Sequence, residues 1–274
     1  MRITDLKNHA KFRDPPIVCL TAYSARIASL LDPHVDFLLV GDSLAMVLYG
    51  METTRDVSLE IMIRHATAVA GSARHADVIV DLPFGTYEKS PDQALENTRK
   101  TLEQSGAAAV KIEGGTEIAP TIRHLSGHGF PVIAHIGLLP QTAGRNMTVR
   151  GRTAQDAKQL EQDARAVEES GAKAVVIEAV QADTASRLTK ALTIPTIGIG
   201  ASSECDGQVL VSDDMLGLTG QKIPKFVRRY ADIDKRIDRA ARDFARDVRN
   251  RSFPATDELY LTYEGKNCEG RKKR

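Results

Sequence analysis

Acidic residues occur in this sequence at the points where short apolar runs end. Asp42 follows the apolar run 37–40, and a carboxylate in such a place needs a partner because an unpaired charge beside a buried strand is costly. A single acid of this kind can simply cap the next helix or turn. Four acids in equivalent places favour a shared functional site, since packing alone would place apolar or small residues there. The four are Asp42, Asp81, Glu113 and Glu178.

These residue types predict chemistry based on hard oxygen ligands. Carboxylates without a CxxC pair or a paired-histidine motif favour Mg²⁺ or Mn²⁺ over Zn²⁺. Because Mg²⁺ usually takes only one or two protein carboxylates, one of the other acids can be a general base. Lys111 suits an anionic substrate or a developing enolate. His135, also at a strand end, either assists the chemistry or forms a structural hydrogen bond.

The residues that carry this chemistry lie at the ends of predicted strands that alternate with helical patterns. One predicted helix begins at Ser90-Pro91 and ends at Gly106, and another begins at Thr153 and ends at Gly171. Residues 225–250 predict an amphipathic helix or helix pair, whose apolar side packs on the domain or on a neighbouring subunit. The predicted strands cover 17–23, 37–41, 78–83, 108–113, 131–136, 174–178, 195–200 and 208–211.

Eight strand–helix alternations in 274 residues favour an α/β protein with a (β/α)8 TIM barrel, and a doubly wound open sheet is the alternative. An internal repeat decides between them. Segments 103–113 and 168–178 match at eight of eleven positions and place Glu113 and Glu178 at the same point of strands four and six. Because alternate strands of a barrel contribute to one inward layer, both glutamates can point at one centre, which favours the barrel.

Composition excludes several other classes of protein. The net charge of +1 leaves no electrostatic footprint for nucleic acid or a membrane surface, and no apolar run approaches the roughly 20 residues of a membrane span. Three scattered cysteines and the lack of a secretory leader favour a cytoplasmic protein. We expect one barrel domain over residues 1–254, including the C-terminal helices, and a mobile basic tail over 255–274.

A set of motifs allows a more specific interpretation. In chain order they are Val40-Gly-Asp-Ser-Leu44, Asp81-Leu-Pro-Phe84, Val110-Lys-Ile-Glu-Gly-Gly115, His135-Ile-Gly-Leu-Leu-Pro-Gln141, Ile177-Glu178, Ile197-Gly-Ile-Gly-Ala201, Cys205-Asp-Gly-Gln-Val-Leu-Val211 and Pro224-Lys-Phe226. This set closely resembles the ketopantoate hydroxymethyltransferase family, and the likeness extends from about residue 17 to residue 254.

The resemblance implies a barrel of the phosphoenolpyruvate/isocitrate-lyase type that assembles as a homo-oligomer, commonly a decamer. It implies transfer of a one-carbon unit from 5,10-methylenetetrahydrofolate to 3-methyl-2-oxobutanoate, giving ketopantoate for pantothenate and coenzyme A. Asp42 and Asp81 then resemble Mg²⁺ ligands, with Glu113 reaching the ion directly or through water, and Glu178 resembles the catalytic base. The residues implied to hold the 2-oxo acid are Asp42, Ser43, Asp81 and Lys111.

The sequence also departs from the family pattern. The stretch after Pro140-Gln141, residues 142–150, is altered and slightly shorter, Arg55 replaces an apolar residue, and the tail beyond Pro254 is longer and more basic. These departures concern folate or substrate specificity and leave the predicted metal site intact. Two alternatives remain open: a folate-independent lyase or aldolase of the same superfamily acting on another 2-oxo acid, and a catalytically silent barrel that serves as a binding subunit.

Overall fold

The structure is a computed structural model that describes residues 1–144, 148–220 and 223–260. The chain divides into two compact units, Met1–Tyr230 and Ala231–Arg274. The first unit contains the complete barrel, and the second contains the long C-terminal helix. The domain boundary predicted at residue 254 stays a prediction, and the predicted tail lies outside the described residues from 261 onward.

Eight parallel strands close into a barrel in which each strand pairs with its neighbour in sequence and the last pairs with the first. Closure is made by Ile17 and Gly207, which are register partners between the first and eighth strands. The (β/α)8 prediction is therefore confirmed. The strands are β1 (Ile17–Thr21), β2 (Phe37–Val40), β3 (Asp77–Asp81), β4 (Ala109–Glu113), β5 (Val132–Gly137), β6 (Ala174–Glu178), β7 (Thr196–Ile199) and β8 (Gly207–Leu210).

A helix follows every strand except β7, which leads to β8 through the helix-free residues 200–206, and several helices begin where the sequence predicts. Ser90 accepts a hydrogen bond from the Gln93 backbone N–H at the start of one helix, which ends at Gly106 in the left-handed conformation. The helices are α1 (Ala25–Leu31), α2 (Leu44–Val47), α3 (Leu59–Ala70), α4 (Pro91–Ser105), α5 (Ala119–Gly127), α6 (Pro140–Ala143), α7 (Ala154–Glu169), α8 (Ala182–Ala191), α9 (Ser212–Leu216) and α10 (Ile233–Arg249).

The barrel interior is filled by inward side chains from all eight strands, such as Phe37, Ile133 and Val209, which form one buried apolar cluster. Ile3 and Leu6, from the N-terminal 3-10 helix Ile3–Asn8, belong to the same cluster. The Ile3 backbone N–H donates to Asp77 at the first residue of β3. The N-terminal segment therefore closes the end of the barrel opposite to the predicted site.

The second unit does not bury the apolar side of its helix within itself. The helix or helix pair predicted over 225–250 is the single helix α10, which begins only at Ile233, so residues 225–232 are not helical. Its side chains Ile237, Phe244 and Val248 are 45 to 56% exposed. The Phe244 ring contacts Phe253, with ring centroids 5.3 Å apart. The predicted packing of this face on a subunit neighbour stays a prediction. No described helix is long and apolar enough to cross a membrane.

Candidate active site

A cavity of about 530 Å³ opens at the carboxyl ends of the strands. All six residues that the sequence predicts for the site contribute to its wall, together with His135. Each of them lies at or just after the end of a strand, where a barrel places its active site. The six predicted residues are Asp42, Ser43, Asp81, Lys111, Glu113 and Glu178.

Asp81 is held by two donors from neighbouring strand ends. It is the register partner of Lys111 across the β3–β4 pair, and the Lys111 Nζ lies 3.0 Å from its Oδ1. The backbone N–H of Asp42 donates to its Oδ2 at 3.0 Å. Burial nevertheless raises the pKa of Asp81 above its usual value, against the lowering effect of Lys111.

Asp42 lies in the most crowded position of the acidic cluster. Burial, followed by the charges of Asp81 and Glu113, raises its pKa to about 8. Its Oδ2 accepts a hydrogen bond of 2.8 Å from the Gln141 Nε2. Three buried carboxyl groups, those of Asp42, Asp81 and Glu113, therefore crowd around Lys111 in the wall of the cavity.

Lys111 is the buried cation of this cluster. Burial alone would lower its pKa, but the carboxylates of Asp81, Glu113 and Asp42 outweigh burial and raise it. Its ammonium group is therefore charged throughout the neutral range. That group reaches the imidazole of His135 as well, with 3.2 Å between Lys111 Nζ and His135 Nδ1.

His135 lies between the two glutamates of the internal repeat. Its Nδ1 is 3.4 Å from Glu113 Oε1, and its Nε2 is 3.2 Å from Glu178 Oε2. Burial and the Lys111 charge lower its pKa, but the close contacts with both glutamates reverse the shift and raise it to about 9. The imidazole therefore lies between the two carboxyl groups that strands four and six bring to one centre.

Ser43 is oriented by a residue from the first strand end. The Tyr23 hydroxyl lies 2.8 Å from the Ser43 Oγ, and burial raises the pKa of Tyr23, so the phenol stays neutral. Ser43 lines the cavity. Either hydroxyl can donate in this pair, and when the phenol donates, the serine hydroxyl proton remains for a ligand.

Sequence analysis did not assign a role to Gln141 or Tyr87. The Gln141 side chain is buried and bonds to Asp42, to the Leu82 carbonyl and to the Tyr87 hydroxyl. The Tyr87 hydroxyl also accepts from the Glu113 backbone N–H at 3.2 Å. The only feature of the sequence that pointed to Gln141 was its position inside a family motif. A hydrogen-bond network between distant segments produces no regular spacing of residues in the sequence.

The donor set fits a divalent cation that keeps much of its water. Among residues 1–144, 148–220 and 223–260, no three His, Cys, Asp or Glu side chains are arranged to hold a metal ion together. Mg²⁺ needs only one or two carboxylates, and Asp42 and Asp81 supply two beside the cavity. Burial raises the pKa of each, and a bound cation would favour the ionised form of both carboxyl groups.

The fold and this site define the class of protein: a (β/α)8-barrel enzyme with an acidic cavity at the carboxyl ends of its strands. The family model described as ketopantoate hydroxymethyltransferase matches residues 1–256. The chain belongs to the ketopantoate hydroxymethyltransferase family.

Curated relatives agree with this assignment over nearly the full length. The chain is 54% identical over 250 residues to 3-methyl-2-oxobutanoate hydroxymethyltransferase 1 of Pseudomonas aeruginosa (strain UCBPP-PA14), covering 90% of this chain and 92% of that protein. It is 50% identical over 261 residues to the 3-methyl-2-oxobutanoate hydroxymethyltransferase of Bartonella quintana (strain Toulouse), covering 94% of each.

Solved structures share the fold at low sequence identity. A phosphonopyruvate hydrolase in complex with oxalate and Mg²⁺ aligns with a TM-score of 0.59 and 16% identity, over 94% of this chain and 93% of that one. A 2,3-dimethylmalate lyase, a member of the PEP mutase/isocitrate lyase superfamily, aligns with a TM-score of 0.58 and 15% identity, over 94% and 91%. These likenesses concern the barrel alone.

Proposed function

We propose that this chain transfers a hydroxymethyl group to 3-methyl-2-oxobutanoate, with 5,10-methylenetetrahydrofolate as the donor. The product is 2-dehydropantoate (ketopantoate), which leads to pantothenate and coenzyme A. The observation that carries the proposal is the cavity of buried acids, Lys111 and His135 in a chain of this family. We further propose that the protein is a cytoplasmic homo-oligomer, a decamer, which native mass spectrometry would test.

The acidic wall would hold both the cation and the 2-oxo acid. Asp42 and Asp81 would bind Mg²⁺, and Glu113 would reach it directly or through water. When bound, Mg²⁺ acts as a Lewis acid on the keto group of the substrate. Ser43 and Lys111, with the two aspartates, would orient the 2-oxo acid, and the charged Lys111 favours its carboxylate.

Glu178 is the proposed base that removes the C3 proton of 3-methyl-2-oxobutanoate. Its side chain is 15% exposed, whereas that of Glu113 is 3% exposed, so Glu178 is the glutamate more accessible to a ligand. His135 Nε2 lies 3.2 Å from Glu178 Oε2 and would hold the side chain of the proposed base in place. The C3 carbon then forms a bond to the folate methylene carbon, water supplies the hydroxyl group, and tetrahydrofolate leaves.

Two signals in one sample would test this function. NMR would follow exchange of the C3 proton of 3-methyl-2-oxobutanoate in D₂O with Mg²⁺, and then ketopantoate formation after 5,10-methylenetetrahydrofolate is added. We expect both, with exchange independent of folate. Exchange without transfer would favour the folate-independent lyase or aldolase. Absence of both signals would refute Glu178 as the base and favour a silent barrel.

The altered stretch 142–150 is the part of the mouth that we expect to position folate. Its residues 145–147 lie outside the described residues. Transfer needs the methylene carbon against the C3 carbon, and a misplacement of about 1 Å can cost roughly a hundredfold in rate. We therefore expect substitutions in this stretch to slow transfer while leaving proton exchange unchanged.

A further inference from the structure

Gln141 joins four strand ends in the wall of the cavity through hydrogen bonds. Its Nε2 donates to Asp42 Oδ2, after β2, at 2.8 Å and to the Leu82 carbonyl, after β3, at 3.0 Å. Its backbone N–H, after β5, donates to Glu113 Oε2, at the end of β4, at 3.0 Å. The residue is 1% exposed, so water does not replace these bonds.

Tyr87 fixes which way the Gln141 amide points. Its hydroxyl donates to Gln141 Oε1 at 2.5 Å and accepts from the Glu113 backbone N–H at 3.2 Å. Both Nε2 hydrogens of Gln141 then have acceptors, and the amide cannot turn over without leaving buried polar groups unpaired. A glutamate at position 141 would lose both of these donors.

We propose that Gln141 is a positioning residue for the Asp42 carboxylate, and that Tyr87 acts through Gln141. Asp42 lies beside the carboxyl groups of Asp81 and Glu113. The neutral Gln141 amide, 2.8 Å from Asp42 Oδ2, holds that carboxyl group in place and adds no charge. The cation-binding part of this inference rests on the proposed function.

The test measures cation binding without turnover. Mn²⁺ is the probe, and the EPR signal of free Mn²⁺ gives its dissociation constant for the wild type and for Gln141→Met, which keeps the volume and the backbone N–H but removes the amide. Loss of a partner behind a metal ligand typically costs about 10- to 100-fold in affinity, and we expect a loss in this range. We expect a smaller loss for Tyr87→Phe.

The double variant tests whether Tyr87 and Gln141 act in series. In the Gln141→Met background, Tyr87→Phe should weaken Mn²⁺ binding no further, because the hydroxyl has no amide left to orient. Additive losses would overturn the role given to Tyr87.

Ser105→Ala is the matched control for general destabilisation. Ser105 is a buried hydroxyl that donates to the Thr101 carbonyl and accepts from the Ala107 backbone N–H, away from the cavity lining. This variant should lower stability and leave Mn²⁺ affinity unchanged. An equal loss of affinity in Ser105→Ala, a Gln141→Met affinity within twofold of wild type, or a wild type that binds no Mn²⁺ would each overturn the inference. A wild type that binds Mn²⁺ and transfers nothing would refute the proposed function alone.

Discussion

Asp42 illustrates how a functional residue can destabilise the protein that carries it. Its carboxylate is 4% exposed and lies among the charges of Asp81 and Glu113, with Lys111 as the nearest cation. A ligand that neutralises the Asp42 carboxylate removes its repulsion from Asp81 and Glu113, and this favours binding of the ligand. We therefore expect stability and ligand binding to oppose each other at this position.

Asp42→Asn should make the metal-free protein more stable. The amide removes a carboxyl group whose ionised form burial and the neighbouring acids disfavour, and it keeps an oxygen that can accept from Gln141. We expect a gain of roughly 1 kcal/mol in the free energy of unfolding, measured by urea denaturation with EDTA. The same variant should lose Mg²⁺-dependent binding of the 2-oxo acid in calorimetry. A variant less stable than wild type without metal would contradict this account.

The two glutamates beside His135 should respond differently to the same substitution. Glu178→Gln should keep affinity for the 2-oxo acid and abolish C3 proton exchange, because an amide cannot accept the proton. Glu113→Gln should weaken Mg²⁺ binding first, since Glu113 is the less exposed glutamate and is bonded to Gln141. Exchange rates and calorimetric affinities for both variants would check this, and identical defects would contradict the division of roles.

At the scale of elements, the position of Glu178 depends on how closely β5 approaches β6. Gly137 is the register partner of Glu178, and a Cβ at Gly137 would lie 2.3 Å from the Glu178 carbonyl oxygen. Its φ of +101° also lies in the region that favours glycine. Because Gly137 has no side chain, β5 can approach β6 closely enough to fix the position of Glu178, the proposed base.

Gly137→Ala should displace the end of β6 and lower kcat at least tenfold. Gly129→Ala is the matched control, because its φ of +83° brings the same backbone strain while a Cβ there would meet nothing within 4 Å. The control should lose about 1–2 kcal/mol of stability and keep its kcat. Steady-state kinetics and urea unfolding of both variants would test this. Equal kcat in the two variants would show that the close approach does not position Glu178.

Asp32, which follows α1, holds the turn that leads into β3. Its carboxylate accepts hydrogen bonds from the backbone N–H groups of Arg74, His75 and Ala76. Burial raises the pKa of Asp32, but the three hydrogen bonds lower it by more than burial raises it. The net shift is therefore downward. The stabilising contribution of Asp32 is therefore complete above the unfolded-state pKa, about 3.9, and is lost as the pH falls through the lower folded-state pKa.

Asp32→Asn should cost about 2 kcal/mol at pH 7, because an amide oxygen replaces a charged acceptor. The difference from wild type should shrink at pH 3, where the wild-type carboxylate loses its advantage. Urea unfolding at both pH values measures the difference. Asp92→Asn, at a side chain that is 89% exposed, is the surface control. A difference that does not change with pH would refute the assigned cause.

At the scale of the whole molecule, the two ends of the barrel have separate roles. Leu6 is 1% exposed and fills the end opposite to the cavity. Leu6→Ala should lower the free energy of unfolding by about 2–5 kcal/mol through the lost contacts and the space left behind. Activity per folded molecule should not change. A kcat that falls in proportion to stability would show that the two ends are coupled.

The barrel and the convergence of its acids could be predicted because each strand is a local apolar run and each acid follows one directly. Asp81 and Lys111 are examples, since pairing of β3 with β4 brings them together automatically. The Tyr87–Gln141 bond could not be predicted in this way, because it joins residues 54 apart, one in the loop before α4 and the other in α6. The exposure of the apolar side of α10 could not be predicted either. An amphipathic pattern predicts that one face of the helix is buried, but it does not say what covers that face.

The pairing of β1 with β8 has a consequence for how the chain is made. Ile17 and Gly207 are separated by 190 residues, which a ribosome adds in about 10 to 40 s at ordinary rates. Throughout that time one edge of β1 has no strand to pair with, and open edges are where chains associate wrongly. The four acids predicted for the site, Asp42, Asp81, Glu113 and Glu178, emerge before β8 does. The nascent chain therefore carries these four carboxyl groups before the barrel that holds them can close.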